Sequence, residues 1–117
     1  MVRRGDGPDD RRRAVVNPNQ GEVWWAEAED KRRPVLVVTR SEAVPVLTWL
    51  IAAPITKTIR AIPTEIRMGE DEGLPVECVA AFDNLQPIRK SFLTERVGML
   101  RDARTEICQA LAAMAGC

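Results

Sequence analysis

The chain has 117 residues and a mass of 13.0 kDa, enough for one domain and too short for two of ordinary size. Lys plus Arg number 17 and Asp plus Glu also 17, so no blanket of positive charge attracts nucleic acid and any anion site has to be local. Histidine is absent, which excludes imidazole acid–base pairs, Ser-His-Asp triads, Cys-His dyads and His-ligated zinc.

Residues 1–13 hold five arginines and three aspartates with almost nothing apolar, and 1–19 read as a disordered arm preceding one domain over 20–117. That arm suits either a phosphate-grabbing tail or a solvated extension. Without residues 1–13 the chain carries 12 cations against 14 anions, so the folded part is slightly acidic. From Gly21 the pattern is strand-like over Val23–Ala26. A charged turn over Glu27–Arg33 follows, and Pro34 then opens Val35–Thr39, together a hairpin signature. A second apolar run, Val46–Ala53, ends at Pro54. Short β-rich pieces follow at Thr64–Met68 and Val76–Phe82, separated by an acidic turn from Gly69 to Gly73. Gln86–Lys90 reads as a polar connection, and Arg40–Ala43 and Leu93–Val97 are compatible with helical turns. The period then changes: Ile107, Ala110, Leu111 and Met114 fall on one helical face, with Asp102 as N-cap and Gly116 as stop.

About five short strands and one amphipathic helix point to an α+β, mainly β fold, a small barrel plugged by its last helix. The cysteines Cys78, Cys108 and Cys117 form no C-x-x-C pair and read as reduced thiols of a cytoplasmic protein. No apolar run is long enough to span a bilayer.

An ordered set of blocks carries a family resemblance. Gly21-Glu22-Val23-Trp24-Trp25, Arg33-Pro34-Val35-Leu36-Val37-Val38, Ala53-Pro54-Ile55-Thr56, Asp83-Asn84 and Val97-Gly98-Met99-Leu100 resemble the MazF/PemK toxin endoribonucleases through nearly all of residues 20–115. The resemblance implies an SH3-like β-barrel of the CcdB/MazF type and a homodimer. It also implies metal-independent, sequence-specific cleavage of single-stranded RNA (mRNA, tRNA or rRNA) without a cofactor, and inhibition by a cognate antitoxin whose acidic, apolar segment lies in the RNA groove.

Cleavage by an attacking 2′-hydroxyl requires proton transfer and stabilisation of charge on phosphorus, and leaves a 2′,3′-cyclic phosphate and a 5′-hydroxyl. Arg33, always protonated, suits the second task as a phosphate clamp, and is otherwise a solvated turn cation. Thr56 can donate to a phosphate oxygen or satisfy its own turn. The resemblance places the family's paired catalytic Arg and Thr at Arg33 and Thr56. Asp83 is the candidate to accept a proton or to orient Arg33. Some relatives carry a second catalytic Arg two residues before this Asp; here that position is Ala81. Lys57 and Thr58 extend the polar loop toward phosphate. Asn84 and Gln86 offer amide edges for unpaired bases, or are turn residues. Of Trp24 and Trp25 one faces outward and can stack a base, with Trp24 taken as the RNA-contacting indole, or all three indoles fill the core and a dimer face.

Two rivals share the barrel: a non-catalytic, CcdB-like topoisomerase poison and a protein-interaction module. The first uses a Trp-Gly-Ile tail in its relatives, and the ending Met114-Ala115-Gly116-Cys117 argues against it; Ala81 favours the second.

Overall fold

The computed structural model describes residues 17–28 and 30–116. The arginine-rich stretch 1–13 and Cys117 lie outside the described residues. Seven strands and a helix follow in chain order: β1 Glu22–Ala28, β2 Lys31–Val37, β3 Trp49–Thr56, β4 Glu65–Met68, β5 Cys78–Ala81, β6 Gln86–Arg89, β7 Leu93–Met99 and α1 Ala103–Ala115. They form one antiparallel sheet ordered β4-β5-β3-β2-β1-β7, and β6 pairs along β3. The result is a curled half-barrel with a C-terminal helix, as expected from the mainly β reading. No helix among the described residues is long and apolar enough to cross a membrane.

Alternation along the strands fills two cores. Val23, Leu36, Val38 and Ala53 join Ile66, Met68, Cys78, Ala80 and Phe82 with Ile107 and Ala110 of α1 on one face. Ala26, Val35, Val37, Leu50, Ala52 and Leu93 form the second, over which Trp24 and Ile88 pack. The helical face is narrower than its periodicity predicts, because Met114 is exposed.

Several boundaries differ from the sequence reading. The hairpin turn is short: β1 runs to Ala28 and β2 begins at Lys31, so Arg33 and Pro34 lie inside a strand. Charged residues remain in the ladder because they pair across it; Arg32 meets Glu27 at 2.9 Å and Glu95 at 2.8 Å and stacks on Trp25. Pro34 is tolerated because β2 pairs with β3 only from Val35 onward, which leaves one edge at Pro34 free. Pro54 does not end β3. It sits where β3 passes from β6, paired over Trp49–Ala52, to β5, paired at Ile55 and Thr56. Gln86–Arg89 and Leu93–Met99, read as a connection and a helical turn, are strands, because the long edges of β3 and β1 supply ladder partners that local sequence does not reveal.

The composition boundary at residue 19 is also late. Pro18 is fully buried, and the Asn19 N–H donates to Glu22 Oε1 at 2.9 Å. Asp102 occupies the N-cap with φ 53° and makes no side-chain cap bond, whereas Gly116 ends α1 in the left-handed conformation at φ 78°.

Glu22 ties the first strand to the seventh. Its buried carboxylate accepts from Asn19 N–H, from Trp24 Nε1 at 3.0 Å and from Arg96 Nε at 3.0 Å. Burial pushes its pKa up, but these three donors and the guanidinium charge outweigh it and hold the carboxyl below its ordinary value. A depressed carboxylate pKa stabilises the fold at neutral pH, and that contribution is lost as pH falls through the folded-state value, below 4.5. Glu22→Gln is therefore expected to destabilise the protein by about 1–3 kcal/mol at pH 7. The gap to wild type should shrink toward pH 3, as read by urea unfolding at a series of pH values.

Candidate active site

The antiparallel register puts Val35 opposite Pro54. Carried two residues along each strand, it sets Arg33 of β2 against Thr56, the last residue of β3, with both side chains on the second-core face. The same face continues across the sheet. Thr56 pairs with Val79, and Ala81 of β5 pairs with Glu65 of β4. The loop between β3 and β4 curls over this row. Arg33, Thr56, Thr58, Arg60, Glu65, Ala81 and Asn84, with Pro54 and Ile55, line a cavity of about 310 Å³.

Thr56 is oriented by its own turn, as Thr58 N–H donates to its Oγ1 at 3.2 Å. That bond occupies the oxygen as an acceptor and leaves the hydroxyl proton to be donated elsewhere. Arg33 is exposed, and among the described residues no carboxylate lies within ion-pair distance of it. Neighbouring Arg32 is the opposite case, held by two carboxylates and an indole. One of three adjacent cations is thus neutralised while Arg33 faces the cavity.

Of the other residues singled out from sequence, Thr58 and Asn84 line this cavity. Lys57 points to the other side of the sheet. There it borders a second cavity of about 360 Å³ formed with Thr56, Trp25, Arg32, Pro34, Ile55, Leu74, Pro75, Val76 and Cys78. Trp24 lines neither cavity: it is half-buried over the second core, and its Nε1 is spent on Glu22. The indole at a cavity is Trp25, because the period-two alternation turns it to the opposite face. Gln86 begins β6, paired with Ala52, and is also absent from both linings. Asp83 sits beside the first cavity in the turn Phe82–Asn84. Its Oδ2 accepts from the Thr64 hydroxyl at 2.8 Å, and no ion pair joins it to Arg33.

Two residues of the cavity, Arg60 and Glu65, were not singled out from sequence. The signal was the loop's pattern: a carboxylate five residues after an arginine folds back on it only when the connection closes as a turn. Among the described residues no three His, Cys, Asp or Glu side chains converge to hold a metal.

An unpaired guanidinium and an oriented hydroxyl in one groove fit anionic substrates, and the comparisons with known proteins bear on which. Residues 19–115 match the family described as PemK-like, MazF-like toxin of type II toxin–antitoxin systems. The chain belongs to that family. It is 38% identical over 104 residues to the probable endoribonuclease MazF5 of Mycobacterium tuberculosis, covering 86% of this chain and 94% of that protein. It is 41% identical over 71 residues to the endoribonuclease MazF3 of the same organism, covering 61% and 69%. Among solved structures, the Mycobacterium tuberculosis toxin MazF-mt6 superposes with a TM-score of 0.73 at 30% identity, covering 81% of this chain and 96% of that one. A mycobacterial endoribonuclease in complex with its cognate antitoxin gives 0.72 at 27% identity, covering 85% and 95%. As a PemK/MazF protein, the chain is a toxin endoribonuclease of a type II toxin–antitoxin system.

The Thr64–Asp83 bond joins β4's entry to the turn after β5, and Thr64 is buried. Thr64→Val is expected to lower stability by about 1–2 kcal/mol, because its loss removes Asp83's hydroxyl donor; thermal unfolding of the two proteins checks it.

Proposed function

We propose that this PemK/MazF protein cleaves single-stranded RNA without a metal, by attack of a 2′-hydroxyl on the adjacent phosphorus, in the cavity that Arg33 and Thr56 share. The convergence of these two side chains on one sheet face carries the reading. Arg33 holds the non-bridging oxygens in a bidentate fork and stabilises the charge that grows on the phosphorane. Thr56 donates its hydroxyl proton to the same group, its oxygen fixed by Thr58 N–H. Asp83, anchored by Thr64 next to Asn84, takes the proton of the attacking hydroxyl; the P–O5′ bond breaks as the 2′,3′-cyclic phosphate closes, and the departing 5′-oxygen takes a proton from water. Asn84 and Thr58, which line the same cavity, contact the flanking nucleotide.

The second cavity suits the antitoxin. Trp25, Pro34, Ile55, Leu74 and Val76 give it apolar walls, and Lys57 adds a cation, matching an apolar segment that bears carboxylates. Thr56 borders both cavities, so a segment seated there lies against the RNA site.

The working unit is a homodimer. Val46, Leu47, Trp49 and Ile51 expose 82, 39, 50 and 41% of their surface around the start of β3. Large apolar side chains exposed this closely along the chain are the kind a soluble protein covers with a partner.

Arg33→Ala is expected to lower cleavage of a long single-stranded transcript about 100- to 1000-fold with the fold intact, in EDTA as in its absence. A substrate with deoxyribose at the mapped cut site should bind and resist cleavage; its cleavage at the normal rate refutes the 2′-hydroxyl mechanism. Asp83→Asn should reduce turnover by about 100-fold or more while binding of the deoxy substrate holds. Ile51→Glu should shift the protein from dimer to monomer in sedimentation equilibrium, and an unchanged mass overturns that placement of the interface.

A further inference from the structure

Ala81 raises a difficulty for any phosphate site on this face. It is the β5 residue that lines the cavity, it is buried, and it bears no charge. Arg33 alone then has to neutralise a phosphate and the charge that develops on it, beside the anion Glu65. The loop between β3 and β4 supplies what the strand lacks.

We propose that Arg60 is a second phosphate-contacting cation of this site and that Glu65 is its positioning residue; the inference rests on the cavity being the RNA cleavage site. Arg60 lines the same cavity as Arg33 and Thr56. Among the described residues no carboxylate pairs with it, whereas Arg32, Arg67 and Arg96 are each engaged by Glu. Its backbone is fixed twice over. Glu65 Oε1 accepts from Arg60 N–H at 2.9 Å and from Ala61 N–H at 3.1 Å, and Glu65 N–H donates to Ile62 O at 3.0 Å. Ala61 is held at φ 58°, a left-handed conformation that an alanine keeps only when its surroundings impose it. These bonds close the loop as a rigid turn and spend one oxygen of Glu65 on backbone donors.

Register explains why the cation comes from the loop. Ala81 and Glu65 are direct partners, so their side chains leave the sheet side by side on the same face. A methyl at 81 leaves the floor open for Glu65 to reach back to the loop and for Arg60 to enter; a long side chain at 81 would occupy that space. Two guanidiniums, one from β2 and one from the loop, then flank the hydroxyl of Thr56.

A carboxylate in a polyanion site gives this proposal a sign test. If Glu65 were a bystander, its removal would strengthen RNA binding by deleting a repulsive charge. If it positions Arg60, its removal weakens binding despite that gain. The experiment uses the full chain with an RNA oligonucleotide spanning a mapped cut site, and the same oligonucleotide with deoxyribose at that site for equilibrium binding.

Arg60→Ala is expected to lower kcat/KM about 10- to 100-fold and to reduce the salt slope of deoxy-substrate binding by about one. Arg60→Lys, which keeps the charge without the fork, should fall between Ala and wild type. Glu65→Ala should shift binding and cleavage in the same direction as Arg60→Ala. Glu65→Gln, whose amide oxygen accepts the same two N–H groups, should recover most of that loss. Far-ultraviolet dichroism and melting verify that each variant is folded, and Arg60→Lys stands in where Arg60→Ala is not.

Arg33→Ala separates the two levels. Activity lost in Arg33→Ala but retained within twofold in Arg60→Ala overturns the role of Arg60 and leaves the site in place. Tighter binding by Glu65→Ala overturns the positioning role. Full activity in Arg33→Ala removes the site itself, and the proposal with it.

Discussion

The pairing of β2 with β3 is the constraint on which the rest depends. Val35 opposite Pro54 fixes a register in which Arg33 and Thr56, distant in sequence, leave the sheet on one face at one end. A slip of one residue would send one of the two to the opposite face, since side chains alternate with period two. The register is secured by burial: Val35, Val37 and Ala52 enter the second core while Leu36 and Ala53 enter the first. Two cores on two faces make the slip costly in both directions. The prolines at 34 and 54 mark where each strand is unpaired along one edge, which opens the sheet where the cavity forms.

Charge placement follows a second logic. With cations and anions equal in number, affinity for a polyanion cannot come from the average surface. It comes from which arginines are left without carboxylates. Arg32, Arg67 and Arg96 are neutralised by Glu27 with Glu95, by Glu77 and by Glu22, and Arg89 lies over the Trp49 ring. Arg33 and Arg60 face the groove unpaired among the described residues. Exposed ion pairs contribute little to stability, so the pairing of Arg32 matters more for where positive potential is withheld. It withdraws one of three consecutive cations and leaves Arg33 as the one that faces the cavity.

Rigidity at the site comes from short-range bonds around long-range ones. Thr58 N–H fixes the Thr56 hydroxyl, Thr64 fixes Asp83, and Glu65 fixes the loop. Each bond joins a residue of the β3–β4 connection to a strand or turn beside the groove. That connection therefore shapes the cavity as much as the strands do, although its composition reads as an ordinary polar loop. On the far side of the sheet, Cys78 stays a thiol, since burial and the charges of Glu72 and Glu77 push its pKa up.

The amino-acid sequence alone determined the mainly β class, the C-terminal helix with its Gly116 stop, and, through ordered blocks, the family; it also singled out Arg33 and Thr56, which the fold brings to one cavity. These were legible because they rest on hydrophobic period, on turn residues and on short motifs, all local in the chain. Only the tertiary structure decided that Gln86–Arg89 and Leu93–Met99 are strands, that Trp25 rather than Trp24 borders a cavity, and that Arg60 and Glu65 line the cavity of Arg33 and Thr56. Edge strands take their conformation from ladder partners, and a loop side chain's direction depends on hydrogen bonds across the fold. Neither is written in neighbouring residues, because the partners that impose them become neighbours only when the sheet closes.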